Sequence, residues 1–175
     1  IVSSLGTNAG AGGVTLAMAA DEVICRDGVV LNPHYRTMGE LYGSEYWTYL
    51  WPRRVGEEKA HAMWRDALPV SAAQALRMGM VDEVGPADRG IFNTSVREHA
   101  ASLAQDGALR QRLRNKVRQL HKDQMVKPLS EHRREELQQM WQNFFGADRQ
   151  FHTARHDFVF KAKAAETPLR LAQHR

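Results

Sequence analysis

The stretch NAGAGGVTLAMAADEV, residues 8–23, places three glycines and three alanines in its first ten residues, before a predicted helix. Glycine lacks the Cβ that keeps a ligand or another chain segment away from the backbone. A helix N-terminus presents unpaired N–H groups and a partial positive charge. The stretch therefore predicts either a tight packing turn or a site where backbone amides hold an oxygen that gains negative charge.

The spacing of these glycines does not match the common phosphate-binding loops. The sequence contains neither G-x-x-x-x-G-K-[ST] nor G-x-G-x-x-G followed by an acidic residue on a second strand. No apolar run approaches the roughly 18–20 residues that span a bilayer, so we expect no membrane partner. Hydrophobic residues at 43% and charged residues at 25% are usual for a soluble globular protein.

Charge is distributed unevenly along the chain. Residues 1–96 hold 8 Lys/Arg and 11 Asp/Glu, whereas residues 97–175 hold 16 and 9. A basic half can bind nucleic acid, but here the basic residues alternate with Glu, Gln and Leu, as on a solvated helix face. We therefore expect no nucleic-acid partner. A basic groove for a phosphate-bearing cofactor is the alternative, with the Lys and Arg residues of 110–127 as candidates.

The single cysteine predicts the redox compartment of the chain, and the first residues predict that it is part of a longer protein. Cys25 is the only cysteine, so no internal disulfide forms and a reducing, cytoplasmic compartment is expected. It lies on an apolar predicted strand and reads as a small buried hydrophobic residue. Ile1 opens the chain without Met and without a secretory signal, inside a predicted strand. We expect a C-terminal part of a longer protein.

The hydrophobic pattern divides the chain after residue 87. Residues 1–87 alternate short strands and helices, with an Ala-rich helix at 12–20 and strands near 23–25 and 29–31. Residues 88–175 favour long charged helices, at about 94–105, 107–123, 130–144 and 149–164. The layout is an α/β part followed by an α-helical extension.

Two serines are predicted to begin helices. Ser44 is a plausible N-cap for the helix that follows it, and Ser71 for a helix that ends at Gly79. A serine hydroxyl at this position accepts a hydrogen bond from a free amide of the first turn.

Several motifs of the first part resemble the crotonase (enoyl-CoA hydratase/isomerase) family. The motifs are GAGGVTLAMAADEV, DGVVLNP, WPRRVG and LPVSAAQALRMGMVDEVGP, and they occur in the family's order and close to its spacing. The resemblance covers residues 1–87 and implies an α/β, partial crotonase (ββα spiral) fold that lacks the family's N-terminal half. Residues 88–175 would follow it as an α-helical C-terminal extension.

The whole chain is similar to the C-terminal domain of the HoxX/HypX family of hydrogenase maturation proteins. The tail motifs KPLSEHRREELQQMWQNFFG and FHTARHDFVFKAKAAETPLRLAQHR carry this similarity. It implies a role in [NiFe]-hydrogenase maturation, in which CO is released from formyl-coenzyme A and coenzyme A is the thioester carrier. An N-terminal formyltransferase-like domain would bind tetrahydrofolate, and other hydrogenase maturation proteins would be partners.

The resemblance assigns a coenzyme A thioester site to the glycine-rich stretch. Crotonases hold the thioester oxygen with two backbone amides, and the motif aligns one of these donors with Gly12, beside Gly13. The two glutamates of the hydratases have no counterpart, because Thr15 and the run Asn32–Tyr35 stand at those positions. Simple hydration, which needs an acid and a base on one water, is therefore disfavoured.

Loss of CO from a formyl thioester needs a base at the formyl C–H and a proton donor at sulfur. The resemblance favours Glu45 as the base and Tyr35 as the donor, while Gly12 holds the carbonyl; His34 is a second candidate base. Aromatic neighbours, Tyr42, Tyr46 and Trp47, would partly desolvate the Glu45 carboxylate. Without the resemblance, Glu45 reads as an exposed first-turn helix residue and Tyr35 as a core ring.

Other interpretations stay open at this point. The chain could belong to a generic acyl-CoA hydratase, isomerase or hydrolase, or its helices could form a non-enzymatic scaffold for hydrogenase assembly. His152 and His156 have the i, i+4 spacing of metal ligands, but no third ligand stands nearby and no H-E-x-x-H motif occurs. We expect no metal there and assign the two histidines to a structural or interface face.

Overall fold

The computed structural model describes residues 1–33 and 36–162. Within these ranges the chain forms short strands in its first half and mainly helices in its second. The strands are β1 (Val2–Leu5), β2 (Ala9–Gly10), β3 (Glu22–Arg26), β4 (Val30–Asn32), β5 (Val70–Ser71) and β6 (Glu83–Gly85). The helices are α1 (Gly12–Met18), α2 (Trp47–Val55), α3 (Glu57–Asp66), α4 (Ala72–Met78), α5 (Arg89–Gln105), α6 (Leu109–Val126), α7 (Leu129–Phe145) and α8 (Gln150–Phe160).

The strands form two small sheets. In the first, β1, β3 and β6 are parallel and lie in that order, with Ser4 opposite Ile24 and Cys25 opposite Val84. In the second, β4 lies between a parallel β2 and an antiparallel β5. Because parallel neighbours need a crossover connection, β1 returns to β3 through α1. The mixed α/β architecture and the helical C-terminal part agree with the predicted fold class.

The core lies between these sheets and the helices α1 to α4. Strand β3 contributes Val23 and Cys25, and α1 contributes Val14, Ala17 and Met18, all buried. These α1 positions recur at i, i+3 and i+4, which is the spacing of one buried helix face. The predicted Ala-rich helix is confirmed, and α1 begins at Gly12 itself.

The helix boundaries show which caps the sequence predicts correctly. Ser71 is the N-cap of α4, where its hydroxyl accepts from the Gln74 amide, and Gly79 ends that helix in a left-handed conformation (φ 86°). The prediction for Ser44 is wrong, because α2 begins at Trp47 with Tyr46 as its N-cap residue. Helix α5 begins earlier than predicted because Asp88 caps it, with Oδ1 accepting from the Ile91 amide at 2.8 Å.

No helix in the described ranges combines the length and apolar character needed to span a bilayer.

Gly39 lies where the loop before α2 meets the start of α8. Its φ of +63° favours glycine, and a Cβ there would overlap the backbone of Gln150 and Phe151. We predict that Gly39→Ala lowers the free energy of unfolding by about 2–4 kcal/mol, since conformational strain and overlap add. Gly28→Ala is the matched control, because Gly28 has φ +80° and no atom within 4 Å. It should cost only about 1 kcal/mol. If thermal unfolding shows that both variants lose the same free energy of unfolding, the predicted overlap at Gly39 is contradicted.

Candidate active site

The turn before α1 is fixed to strand β4. The Ala11 amide donates to the Asn32 carbonyl at 2.8 Å, and the Val30 amide donates to Asn8 Oδ1 at 2.9 Å. Ala11 adopts φ 47° and ψ −122°, although it is not glycine. Such a conformation costs about 1–3 kcal/mol and persists only where the surroundings enforce it. The turn therefore gives the first amides of α1 a defined direction.

Gly12 and Gly13 supply the first two amides of α1. The Ala11 carbonyl accepts from the Val14 amide at 3.0 Å and from the Thr15 amide at 3.3 Å. Among the described residues, no acceptor contacts the amides of Gly12 and Gly13. Gly12 is half-buried and Gly13 is exposed. Both amides are therefore available to an oxygen that approaches the N-terminus of α1.

The Glu45 side chain lies against Gly12. A Cβ at Gly12 would be 3.3 Å from both Cγ and Oε1 of Glu45. The other carboxylate oxygen, Oε2, accepts from the Ser44 amide at 2.9 Å. Two of the residues that were predicted to act together, Gly12 and Glu45, are therefore neighbours, although they belong to different elements. Tyr35 and His34 lie outside the described residues.

Two of the aromatic residues near Glu45, Tyr42 and Trp47, pack against other rings. The Trp47 ring stacks on Trp64 at 5.9 Å between centroids, and the Tyr42 ring lies 5.3 Å from Trp47. Glu45 and Tyr46 are exposed. In this chain Glu45 is exposed, so its desolvation by Tyr42, Tyr46 and Trp47 stays a prediction for the complete protein.

Burial also affects the ionisation of Tyr42. Burial raises the pKa of its hydroxyl, and the negative charges of Glu136 and Glu135 raise it further. The ring therefore stays neutral and serves as a packing group at the base of the loop that carries Glu45.

Thr15 occupies a packing position. It is 2% exposed, and its Oγ1 accepts a hydrogen bond from Trp51 Nε1 at 3.2 Å. This is the position at which the crotonase resemblance expects a hydratase glutamate. The hydroxyl is engaged inside the core, so the residue does not present an acid or a base beside Gly12.

Helix α7 holds the loop that carries Glu45, which sequence reasoning missed. Glu136 is buried, and its Oε2 accepts from the Tyr46 amide at 2.8 Å while its Oε1 accepts from the Thr48 amide at 2.9 Å. Arg133 donates to the Ser44 carbonyl. A buried carboxylate needs such partners. In the sequence, Glu136 is one of many charged residues in a predicted helix, and such residues are too common to indicate a site.

The other residues singled out in the sequence have local roles. His152 Nε2 lies 2.9 Å from the Phe144 carbonyl oxygen, and His156 Nδ1 lies 3.3 Å from Asp157 Oδ1. Within the described residues, no group of three or more His, Cys, Asp or Glu side chains could hold a metal ion. Cys25 is fully buried, and burial raises the pKa of its thiol to about 11. Its thiol is therefore protonated at neutral pH.

Two basic residues of α6 are engaged in ion pairs. Arg112 contacts Glu22 at 3.1 Å and Lys116 contacts Asp21 at 2.5 Å. With α5 and the start of β1, they line a cavity of about 520 Å³. The assignment of the 110–127 region to coenzyme phosphates stays a prediction.

Comparisons with known proteins agree with this architecture. The model of the enoyl-CoA hydratase/isomerase family matches residues 1–165. The hydrogenase maturation factor HoxX of Bradyrhizobium diazoefficiens is 44% identical over all 175 residues, which cover 31% of that protein. The chain thus spans about a third of the length of this curated relative.

Solved structures give the same result. HypX from Aquifex aeolicus, in complex with tetrahydrofolic acid, is 37% identical with a TM-score of 0.90; the match covers 99% of this chain and 31% of that one. An enoyl-CoA hydratase from Mycobacterium avium is 27% identical with a TM-score of 0.59, and the match covers 86% of this chain and 61% of that one. The resemblance to HoxX/HypX proteins is confirmed along the chain, which belongs to the enoyl-CoA hydratase/isomerase family.

Proposed function

We propose that this chain is the coenzyme A thioester domain of a hydrogenase maturation protein and that it releases CO from formyl-coenzyme A. The proximity of the Glu45 carboxylate to Gly12, where an added Cβ would lie 3.3 Å from Oε1, is the observation that carries the proposal. It brings a proton acceptor next to backbone amides that are free to hold a carbonyl oxygen. The similarity to HoxX and HypX supplies the biological setting.

The proposed step converts formyl-coenzyme A into CO and the coenzyme A thiol. The Glu45 carboxylate takes the formyl proton, and the C–H electron pair becomes the lone pair on the carbon of CO. The C–S bond breaks, and the sulfur leaves with its electron pair and takes a proton from the Tyr35 hydroxyl. The Gly12 amide, with Gly13 beside it, donates to the carbonyl oxygen and fixes the thioester.

The partner of this domain in the complete protein would be a formyltransferase-like domain. The HypX structure from Aquifex aeolicus contains tetrahydrofolic acid, whose formylated form is a donor of one-carbon units. We propose that such a domain transfers the formyl group to coenzyme A and that the present domain consumes the thioester. Tetrahydrofolate itself would bind outside this chain.

Hydration of an enoyl thioester has less support. Thr15 accepts a hydrogen bond in the core, so the position expected to carry a hydratase glutamate offers no acid or base. The carboxylate nearest to a Cβ placed at Gly12 is that of Glu45. Water addition needs an acid and a base acting on one water, whereas CO release needs a base at the C–H and a separate proton donor at the sulfur.

The test uses the complete protein and purified formyl-coenzyme A. CO is followed by its binding to reduced myoglobin, and the free thiol of coenzyme A is titrated in parallel. We expect one CO for each thiol formed. Formation of formate and thiol without CO would instead indicate a hydrolase, and turnover of enoyl-coenzyme A would indicate a hydratase.

A further inference from the structure

We propose that α7 positions Glu45 for the reaction, and that Arg133 and Glu136 are the residues that do so. The inference rests on the proposed function, because it concerns the base of that reaction. Both residues bond the backbone of the loop that carries Glu45, so their effect would pass through that backbone.

Four side chains of α7 form a stripe along the loop that precedes α2. Their spacings of three, four and three residues place them on one face of the helix. Each bonds a different backbone group of residues 42–46: Asn143 the Tyr42 amide at 2.9 Å, Met140 the Gly43 amide at 3.2 Å, Arg133 the Ser44 carbonyl, and Glu136 the Tyr46 amide at 2.8 Å. Helix α7 thus bonds the backbone of four of the five residues 42–46.

Glu136 replaces the missing cap of α2. No side chain of the N-cap residue Tyr46 bonds the first turn. Glu136 instead accepts from the Tyr46 amide, the Thr48 amide and the Thr48 hydroxyl, the last at 2.7 Å. Its side chain is 0% exposed. A buried carboxylate is tolerated only with such complete hydrogen bonding, and its negative charge suits the N-terminus of a helix.

The backbone on both sides of Glu45 is therefore fixed. Tyr46 adopts a left-handed conformation, with φ 59° and ψ 28°, which a bulky residue rarely occupies. The bond from its amide to Glu136 holds that conformation. On the other side, Arg133 donates to the Ser44 carbonyl, and its guanidinium lies 5.6 Å from the centre of the Tyr46 ring.

This arrangement fixes the backbone from which the Glu45 side chain extends. Glu45 is exposed, so core packing does not hold its side chain against Gly12. The direction of its Cα–Cβ bond depends on the backbone that α7 holds. A reacting group displaced by about 1 Å can lose roughly 100-fold in rate, so loosening of this loop should reduce turnover more than it reduces binding.

The test compares Glu136→Gln and Arg133→Met with wild type in the complete protein. Glu136→Gln keeps the volume but loses one acceptor oxygen. We expect kcat for CO release to fall at least about tenfold, with KM for formyl-coenzyme A within about twofold. Backbone amide exchange of residues 42–48 should become faster. Glu131→Gln is the matched control, because Glu131 lies on the same helix but pairs with Arg134; its kcat should equal that of wild type.

The following results decide between the inference and its alternatives. If Glu136→Gln does not fold, Thr48→Val removes one of the three donors and should still lower kcat at constant KM. A faster exchange of residues 42–48 with unchanged kcat would overturn the positioning role, as would a loss of thermal stability with unchanged kcat. Absence of CO from wild type would overturn the proposed function itself. If wild type releases CO and kcat is unchanged in the Arg133 and Glu136 variants, the inference is overturned while the proposed function stands.

Discussion

Glu45→Gln in the complete protein should lower kcat for CO release from formyl-coenzyme A by at least about 100-fold. The amide has nearly the shape of the carboxylate but cannot accept the formyl proton at neutral pH. The glutamine side chain should occupy the same space near Gly12, so coenzyme A affinity should stay within about twofold. Turnover is measured by CO capture, and affinity by calorimetric titration with coenzyme A.

Glu58→Gln is the matched control for this experiment. Glu58 is an exposed glutamate in the first turn of α3, so the change removes the same charge without touching Gly12. We expect wild-type turnover. If Glu45→Gln releases CO at the wild-type rate, Glu45 is not the base and the proposed step loses its proton acceptor.

Gly12→Ala should lower kcat on the order of 100-fold, because a thioester displaced by about 1 Å from its base can lose that factor in rate. The new Cβ would lie 3.3 Å from Cγ and Oε1 of Glu45. The carboxylate must therefore shift, and the methyl group would cover the approach to the amide. Unlike Glu45→Gln, this change should also weaken binding of the thioester, because the carbonyl oxygen can no longer reach its donor.

Gly107→Ala is the control for this prediction. Gly107 lies between α5 and α6, and a Cβ there meets no atom within 4 Å. The control shows whether a glycine-to-alanine change as such affects turnover. Wild-type kcat in Gly12→Ala, with the folded state intact by circular dichroism, would mean that the thioester does not use this amide.

The fold was accessible from sequence where local signals and family motifs agree. The buried face of α1, the Ser71 cap and the Gly79 stop all follow from short-range patterns. The start of α2 did not follow, because its cap comes from Glu136, which is 90 residues away from Tyr46. Ser44 has the right residue type for a cap, but long-range hydrogen bonding decided where the helix begins.

The candidate site was accessible only in part. Gly12 and Glu45 could be named from the resemblance, and the structure makes them neighbours. The stripe on α7 was missed because its partners are backbone groups, which leave no trace in residue types. Ala11 was missed for a related reason, since alanine carries no sequence signal for a positive φ.

The differences from the hydratase pattern fall on particular residues. Thr15, at one hydratase glutamate position, bonds Trp51 in the core. The candidate base instead comes from the loop between β4 and α2, which helix α7 holds. Under the proposed function, a family framework that presents amides at the start of α1 would serve a different reaction, because the acid–base groups would stand on other elements.

A crystal structure of the complete protein with a coenzyme A thioester bound tests the central claim most directly. The account predicts that the thioester oxygen lies about 3 Å from the Gly12 amide nitrogen, with the Glu45 carboxylate beside the acyl carbon. A thioester bound away from the start of α1, or separated from Glu45 by another segment of the protein, would contradict it.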